Sequence, residues 1–212
     1  MNNIDRSRIH LSRIHLSRYD NSWYHPGRSR LWQAAWFFLG LPVLRSSVLP
    51  SSKLRVRLLR AFGAQIGSGV VIKQEVNVKY PWHLVVGDHC WIGEGAWIDS
   101  LTTVRLGSDV CVSQGAYLCT GNHDWKDPNF GLVVSPIQVN DGAWVGARSI
   151  LTPGVVLGEA AVAAAGSVVT RDIPAFEIHA GNPAVFARRR ELRFEGRSPI
   201  PEPAPTSHEV SR

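Results

Sequence analysis

Apolar residues return at every sixth position along much of the chain, and the residue four places after most of them is small or β-branched. A period of six matches neither an α-helix, which repeats every 3.6 residues, nor an amphipathic strand, which repeats every two. A unit of six residues cannot bury its own apolar side chain, so it must stack on copies of itself. The pattern therefore predicts a solenoid in which three units close one triangular coil. The repeating positions are Ile66, Ile72, Val78, Val86, Ile92, Ile98, Leu106, Val112, Leu118, Val139, Val145, Leu151, Leu157, Ala163 and Val169.

The repeat loses its phase at three places, each of which predicts an inserted loop. The first two interruptions, after Val78 and after Ile98, add two residues each. The third, residues 119–138, is the longest and is polar, and loops on rigid scaffolds commonly carry function. With the insertions set aside, residues 66–174 are expected to form about five coils of an all-β solenoid.

The segments that flank the repeat differ from it in composition. Residues 1–18 are polar and basic and are expected to be a disordered arm, and the Pro-rich residues 195–212 a disordered tail. Residues 19–65 are expected to form an N-terminal helical segment. Residues 175–194 are interpreted as a C-terminal extension that ends in a short helix over residues 184–194.

An apolar, aromatic-rich run at residues 31–44 lies within the helical segment and is too short to cross a bilayer. It has two interpretations: a helix that caps the end of the solenoid, or an interfacial helix with its aromatic side chains among lipid headgroups. A second helix is predicted over residues 51–62, capped by Ser51 or Ser52. The residues assigned to lipid in the second interpretation are Trp32, Trp36, Phe37 and Phe38, flanked by Arg28, Arg30 and Arg45.

The formal net charge of +6 arises from cations that lie mostly outside the repeat. No recognition helix accompanies them, so the composition argues against nucleic acid and favours an anionic cofactor or a membrane surface. The cysteines Cys90, Cys111 and Cys119 form no CxxC pair and follow no secretory signal, which predicts no zinc site, no disulfide and a reducing, cytoplasmic location. They are expected to fill space, and the alternative is a Cys119 nucleophile served by His123.

Three ordered stretches carry a resemblance to a known family: YDNSWYHPGRSR, IKQEVNVKYPWHLVVGDHCWIGEGAWID and CVSQGAYLCTGNHDWKDP. Over residues 17–190 the chain resembles the hexapeptide-repeat acyltransferases, and among them it is most similar to the colanic acid (exopolysaccharide) biosynthesis acetyltransferases. The resemblance implies a left-handed parallel β-helix, acetyl-CoA as the co-substrate, no metal, and a homotrimer that binds coenzyme A between subunits. It also implies direct O-acetylation of a saccharide, without specifying the acceptor.

His123 is the only histidine in the loop of residues 119–138, where a turn can present its imidazole to solvent. An imidazole titrates near neutral pH and suits removal of a hydroxyl proton, and the resemblance makes this residue the general base. Asn122 and Asp124 can orient the ring or can form the turn. Asp99, about one coil earlier, can face the same cleft or lie at a solvent-exposed corner.

The resemblance also assigns residues to coenzyme A and to the reaction. The backbone N–H of Ala147 matches the oxyanion donor of related sugar acetyltransferases. The small residues 163–166 suit a groove for the pantetheine arm, and Arg171 stands where the family has a lysine near phosphate. The expected coenzyme-binding residues are Trp144, Ala147, Ala165, Thr170, Arg171, Asn182 and Pro183.

Three tryptophans, Trp91, Trp97 and Trp125, are candidates for stacking on the acceptor sugar. Trp91 and Trp97 can instead be subunit contacts. The coil that holds an acceptor-binding asparagine in galactoside and maltose acetyltransferases reads SQGA here, at residues 113–116. The acceptor site is therefore expected to differ from theirs.

Two other functions fit the same solenoid. A carbonic anhydrase-like metal enzyme would need three histidines that converge on zinc, and the repeat region offers His83, His89 and His123. A non-catalytic assembly module would use the solenoid as a scaffold and the N-terminal helices as a docking surface, and it would not bind coenzyme A.

Overall fold

The computed structural model describes residues 14–193, and its core is the column of side chains that the period of six predicts. On one face, residues at the repeating positions pair from strand to strand in chain order, and all but the first are buried. These residues are Ile66, Val86, Leu106, Val139 and Leu157. The predicted parallel β-solenoid is confirmed, with five complete coils and one strand of a sixth.

Three parallel sheets form the faces of a triangular prism. Face one contains β1 (Gln65–Ile66), β4 (Leu84–Val86), β7 (Val104–Leu106), β12 (Ile137–Val139) and β15 (Val156–Leu157). Face two contains β2 (Val71–Ile72), β5 (Trp91–Ile92), β8 (Cys111–Val112), β13 (Trp144–Val145), β16 (Val162–Ala163) and β18 (Glu177–Gly181). Face three contains β3 (Asn77–Val78), β6 (Trp97–Asp99), β9 (Tyr117–Cys119), β14 (Ile150–Leu151) and β17 (Val168–Val169).

All the inserted residues lie at one edge of the prism, where the chain passes from face three to the next strand of face one. We call this the loop edge, and it carries residues 79–83, 99–103 and 119–136. The other two edges keep the spacing of six in every coil, and we call them the tight edges. The first tight edge joins face one to face two, and the second joins face two to face three. The three phase breaks therefore mark a single edge.

Successive coils approach each other most closely at glycines that follow an interior aliphatic residue. A Cβ built on Gly146 would lie 2.5 Å from the carbonyl oxygen of Ala163 and 2.6 Å from the nitrogen of Ala165 in the next coil. Both are backbone atoms, and the carbonyl oxygen of Ala163 accepts a hydrogen bond from the N–H of Gly146, so a side chain at this position would force two coils apart. Gly87 and Gly107 are crowded by the next coil in the same way.

The N-terminal segment forms a helical cap on the first coil. Helix α1 (Arg30–Ala35), a π-helical turn (Trp36–Gly40) and helix α2 (Leu41–Arg45) follow one another without a break. Trp36 is fully buried, and its Nε1 donates a hydrogen bond of 3.0 Å to the carbonyl oxygen of Val78. The run therefore caps the solenoid. The assignment of Trp36 to lipid headgroups is wrong, because its ring fills the space between the cap and the first coil.

The second predicted helix is present as α3 (Ser52–Ala61), and Ser51 caps it by accepting a hydrogen bond of 3.2 Å from the N–H of Leu54. Arg55 is buried in this helix and ties it to the end of α2. Its guanidinium donates to the carbonyl oxygens of Leu44, at 3.2 Å, and Ser46, at 2.8 Å. None of the helices within residues 14–193 has both the length and the apolar character that a membrane span requires.

The helix predicted over residues 184–194 is wrong, because β19 (Ala184–Arg189) forms there and pairs antiparallel with β18. The run of arginines that follows Ala187 is compatible with a helix end, but β18 is the last rung of face two and its edge would otherwise be unpaired. An open strand edge leaves a row of N–H and C=O groups without partners, and β19 satisfies them.

Most of the arm predicted over residues 1–18, and all of the tail predicted over residues 195–212, lie outside the described residues. Residues 14–18 are described and contain a 3₁₀ turn (Leu16–Arg18). The N–H of His15 donates a hydrogen bond of 2.7 Å to the carbonyl oxygen of Pro128. The prediction of disorder is wrong for residues 14–18, because the longest inserted loop supplies this partner.

Candidate active site at the loop edge

A cleft of about 1110 Å³ opens at the loop edge. Its walls come from all three inserted loops and from an N-terminal stretch that crosses this edge before it enters the helical cap. We call residues 19–29 of that stretch the strap. Among the residues that line the cleft are Tyr24, Arg28, Lys79, Asp99, Tyr117 and His123.

Hydrogen bonds fasten the strap to the prism. The hydroxyl of Tyr24 donates to the carbonyl oxygen of Leu101 at 2.6 Å, and Nε1 of Trp82 donates to the carbonyl oxygen of Pro26. Burial raises the pKa of Tyr24 above the ordinary value for a phenol, so this donor keeps its proton. The strap is therefore a fixed wall of the cleft.

Two antiparallel strands, β10 (Gly121–His123) and β11 (Leu132–Val134), hold His123 at the root of the longest loop. The imidazole stacks on the ring of Phe130 with centroids 4.5 Å apart, and the ring of Tyr19 meets it edge-on at 5.5 Å. Nδ1 lies 2.8 Å from the carbonyl oxygen of Phe130. A carbonyl oxygen can only accept, so in the neutral imidazole Nδ1 carries the proton and Nε2 keeps its lone pair. This tautomer can act as a base through Nε2.

The neighbours of His123 form the turn and make no hydrogen bond to its ring. The Oδ1 of Asn122 accepts from the N–H of His123 at 2.8 Å, and the Oδ1 of Asp124 accepts from the N–H of Lys126 at 2.9 Å. Of the two interpretations open from the sequence, the structure favours turn formation. The sequence reasoning missed Phe130, because a backbone carbonyl leaves no signal in the side-chain pattern.

Asp99 lies in the cleft, as one of its two interpretations predicts, and is buried at the end of β6. Its Oδ1 lies 3.2 Å from Nζ of Lys79, and its Oδ2 accepts from the hydroxyl of Tyr117 at 3.3 Å. The pKa of Tyr117 is raised chiefly by burial, with smaller contributions from Cys119 and Asp99. Three successive coils thus supply the ammonium group of Lys79, the carboxylate of Asp99 and the neutral phenol of Tyr117 to one wall of the cleft.

A signal for Lys79 exists in the sequence, although the sequence reasoning did not use it. Lys79, Asp99 and Cys119 each follow an interior residue of face three, so they occupy the same position in three consecutive coils. The thiol of Cys119 donates to the carbonyl oxygen of Gly121 at 2.9 Å and forms no hydrogen bond with His123. This contact gives no support to the alternative of a Cys119 nucleophile.

The residues expected to bind coenzyme A lie outside the cleft and are divided between two edges of the prism. Ala147 and Ala165 occupy turns at the second tight edge, whereas Thr170 and Arg171 lie at the loop edge, two coils beyond His123. Asn182 and Pro183 form the turn between β18 and β19, and Trp144, on face two, donates from Nε1 to the hydroxyl of Ser113 at 2.8 Å. One chain by itself does not bring these residues together with His123.

The backbone of Ala147 has the property that an oxyanion donor needs. Within residues 14–193 its N–H makes no hydrogen bond, so the donor is available to a ligand. The same holds for Gln114 and Ala165, the equivalent residues of the adjacent coils. The assignment of the donor to Ala147 therefore stays a prediction.

The three candidate sugar-stacking tryptophans lie in different places. Trp97 projects from face three and stacks on Tyr117 with ring centroids 4.6 Å apart, so it supports a wall of the cleft from outside. Trp91 projects from face two, and Trp125 is exposed in the longest loop with Nζ of Lys126 5.2 Å from its ring centroid. The structure thus connects only Trp97 with the cleft.

The histidines of the metal hypothesis do not form a cluster. Nδ1 of His83 lies 3.1 Å from the carbonyl oxygen of Ser100 at the loop edge, whereas His89 lies at the first tight edge. Over the described range, 14–193, no three side chains of His, Cys, Asp or Glu are grouped closely enough to hold a metal ion.

Known proteins with similar sequences match the solenoid. The family model described as "Hexapeptide repeat of succinyl-transferase" matches residues 83–119 and 136–171, and the gap coincides with the longest loop. A colanic acid biosynthesis acetyltransferase, WcaF of Escherichia coli, is 39% identical over 136 residues, which are 64% of this chain and 75% of that protein. Galactoside O-acetyltransferase of Escherichia coli is 28% identical over 137 residues, 63% of this chain and 68% of that protein.

A solved structure shares the architecture. The hexapeptide-repeat acetyltransferase of Vibrio cholerae in complex with acetyl coenzyme A aligns with a TM-score of 0.69 and 21% identity, covering 76% of this chain and 88% of that one. At this identity the likeness concerns the fold alone. It confirms the expected left-handed parallel β-helix.

Proposed function

Because this chain belongs to the hexapeptide-repeat acetyltransferases, we propose that it transfers the acetyl group of acetyl-CoA to a hydroxyl of a saccharide in exopolysaccharide synthesis. The observation that carries the proposal is the fixed tautomer of His123 in the wall of a polar cleft. An imidazole with Nδ1 occupied and Nε2 unprotonated is the form that removes a proton from an alcohol.

In the proposed reaction Nε2 of His123 accepts the proton of the sugar hydroxyl while the hydroxyl oxygen forms a bond with the thioester carbonyl carbon. The carbon–sulfur bond then breaks, and Nε2 returns the proton to the departing sulfur. The products are an acetyl ester and a free thiol, and no acyl-enzyme forms. A backbone N–H, assigned to Ala147, stabilises the charge that develops on the carbonyl oxygen. The absence of a hydrogen bond between Cys119 and His123 supports direct transfer.

The acceptor is proposed to bind against Asp99, Lys79 and Tyr117. Sugar hydroxyls both donate and accept hydrogen bonds, and this wall offers a carboxylate, an ammonium group and a phenol within one contact network. The strap closes the opposite side with Tyr24 and Arg28. The proposed acceptor is therefore a polar saccharide.

The division of the coenzyme residues between two edges supports a homotrimer with shared sites. A neighbouring copy can place its second tight edge, with Ala147 and Ala165, against the loop edge that carries His123. A mixing experiment tests this arrangement: His123→Ala and Ala147→Trp chains are each expected to be inactive alone. Mixed trimers should regain part of the activity, because some sites then combine two native edges. No regain on mixing, or a sedimentation mass of one chain, would contradict the shared site.

The activity itself is tested by an acetyl-CoA transfer screen against nucleotide sugars and lipid-linked saccharides, with thiol release as the readout. In parallel, thermal unfolding is followed as coenzyme A is added. A ligand at 100 times its Kd adds about 2.7 kcal/mol to the free energy of unfolding. A flat thermal response would favour the non-catalytic assembly module. A cytoplasmic location, where acetyl-CoA is available, is part of this proposal.

A further inference from the structure

The helical cap presents two faces of opposite character. Its buried face is formed by Trp36 and Leu44, which pack on the first coil. Its outer face carries Leu31, Phe38 and Leu39, whose exposed fractions are 85%, 79% and 68%. We call these three residues the apolar stripe. A capping helix needs only one apolar face, so the stripe has no role in the fold of the single chain.

The charged residues around the apolar stripe are all positive. Residues 21–74 contain eight Lys or Arg and no Asp or Glu, whereas residues 75–193 contain nine Lys or Arg and twelve Asp or Glu. The exposed cations of the cap and its approach are Arg28, Arg30, Arg45, Lys53, Arg57 and Arg60. The cap end of the prism therefore combines exposed apolar side chains with cations that have no acidic neighbours in residues 21–74, whereas the second basic cluster, Arg188, Arg189, Arg190 and Arg193, lies at the opposite end.

We propose that this end of the prism docks on an anionic lipid surface, with the apolar stripe inserted among the acyl chains and the cations against the headgroups. A lipid surface supplies hydrocarbon and negative charge together, which matches both features of the cap. A second copy docked face to face would bring the same cations together without any acidic partner, since residues 21–74 hold none. Charge complementarity therefore selects lipid over self-association.

Docking would also set the direction from which the acceptor arrives. Arg28, Arg30 and Gln33 line the cleft, and Leu31 of the apolar stripe lies between them in the sequence. The stripe therefore begins at the rim of the cleft, so that the cleft opens beside the lipid surface. Resting on the proposed function, this geometry assigns the acceptor to saccharides that are linked to a lipid and presented at the membrane.

The test is co-sedimentation of the full chain with vesicles of phosphatidylcholine alone and with vesicles that also contain phosphatidylglycerol. Binding is expected only to the second kind and should weaken with salt, because exposed charges are screened within about 8 Å at physiological ionic strength. Phe38→Glu should lower the bound fraction at least about tenfold, since the charge opposes insertion. The matched control is Val185→Glu, an exposed apolar residue in β19 at the other end, which should bind as the native chain does.

Two further measurements on Phe38→Glu distinguish a loss of lipid binding from the loss of a subunit contact and from failure of the acetyltransferase proposal. Its oligomeric mass by sedimentation should equal that of the native chain, and a lower mass would show that the apolar stripe is a subunit contact. Its thermal stabilisation by coenzyme A should also be unchanged, so that failure of the acetyltransferase proposal is read independently of lipid binding. The docking proposal is overturned if the native chain does not co-sediment with anionic vesicles, or if Val185→Glu and Phe38→Glu reduce binding equally.

Discussion

Phe130 contacts His123 in two ways at once: its carbonyl oxygen lies 2.8 Å from Nδ1, and its ring stacks on the imidazole at 4.5 Å. The first contact fixes the tautomer and the second fixes the plane of the ring. In other histidine-based sites a carboxylate performs this orienting role. Here a carbonyl performs it without adding a negative charge beside the imidazole.

Replacement of His123 by Ala should abolish most of the acetyl transfer while the fold is retained. General-base catalysis contributes about 10²- to 10⁴-fold, so kcat should fall within that range. The measurement is thiol release with acetyl-CoA and an acceptor found in the screen. His89→Asn is the matched control, because His89 is exposed at the first tight edge with φ of 57°, which Asn tolerates. A His123→Ala enzyme with near-native kcat would refute the general-base role.

Replacement of Lys79 by Met should destabilise the protein by about 1 kcal/mol, because it leaves the buried carboxylate of Asp99 without its cation. The cost stays moderate since the lysine side chain is about a third exposed. Urea unfolding of Lys79→Met, Asp99→Asn and the double variant measures the coupling. The double variant should be less destabilised than the two single effects combined. Additive effects would mean that the ion pair adds nothing to stability.

Replacement of Gly146 by Ala should destabilise the fold by about 1–3 kcal/mol or more, the range for overpacking a filled space. The added methyl group would meet backbone atoms of Ala163 and Ala165. Gly95→Ala is the control: no atom lies within 4 Å of its built Cβ, although its φ of 66° disfavours a side chain by about 1 kcal/mol. The midpoint temperature of thermal unfolding should be well below that of Gly95→Ala in the Gly146→Ala variant. Equal midpoints would show that the coils can move apart to accommodate the methyl group.

Alkaline pH should unfold the protein through its buried phenols. Burial raises the pKa of Tyr24, Tyr80 and Tyr117 in the folded chain, whereas the pKa of a tyrosine in the unfolded chain is about 10. The stability that depends on these neutral phenols is complete below that pH and is lost as the pH rises above it. Phenolate absorbance and circular dichroism should therefore change together. Phenolate from more than one of the four tyrosines before any loss of dichroism would contradict this linkage.

The sequence was sufficient to predict the solenoid and the register of its coils, because an interior side chain at every sixth position has only one way to stack. It also located the longest loop and His123, since a phase break in a strict repeat is visible without structure. The breaks follow the third, sixth and ninth units, so a coil of three units already places all of them at one edge. The sequence could not show that this edge forms a cleft, because another wall of the cleft is the strap, which lacks the repeat.

Two errors have a common physical origin in elements that lack the repeat. Trp36 belongs to an aromatic run in which every residue looks equally suited to lipid, and only the packing of the cap on Val78 selects which ring is buried. The segment after Asn182 has helix-forming residues, yet the open edge of β18 offers it a ladder of hydrogen bonds. The position of the strap could not be predicted from the sequence either, because its contacts join Tyr24 to Leu101, which lie 77 positions apart.

The residue that follows the interior position differs systematically between the edges. At the tight edges it is often a glycine that the next coil crowds, as at Gly107 and Gly146. At the loop edge it always carries a side chain, and the row reads Lys79, Asp99, Cys119, Thr152 and Thr170. Of these, Lys79, Asp99 and Cys119 line the cleft, and a substitution at any of them changes the cleft wall without adding a side chain where two coils touch. Under the proposed function, selectivity for the acceptor can therefore change at one coil while the glycines that let the coils stack stay the same.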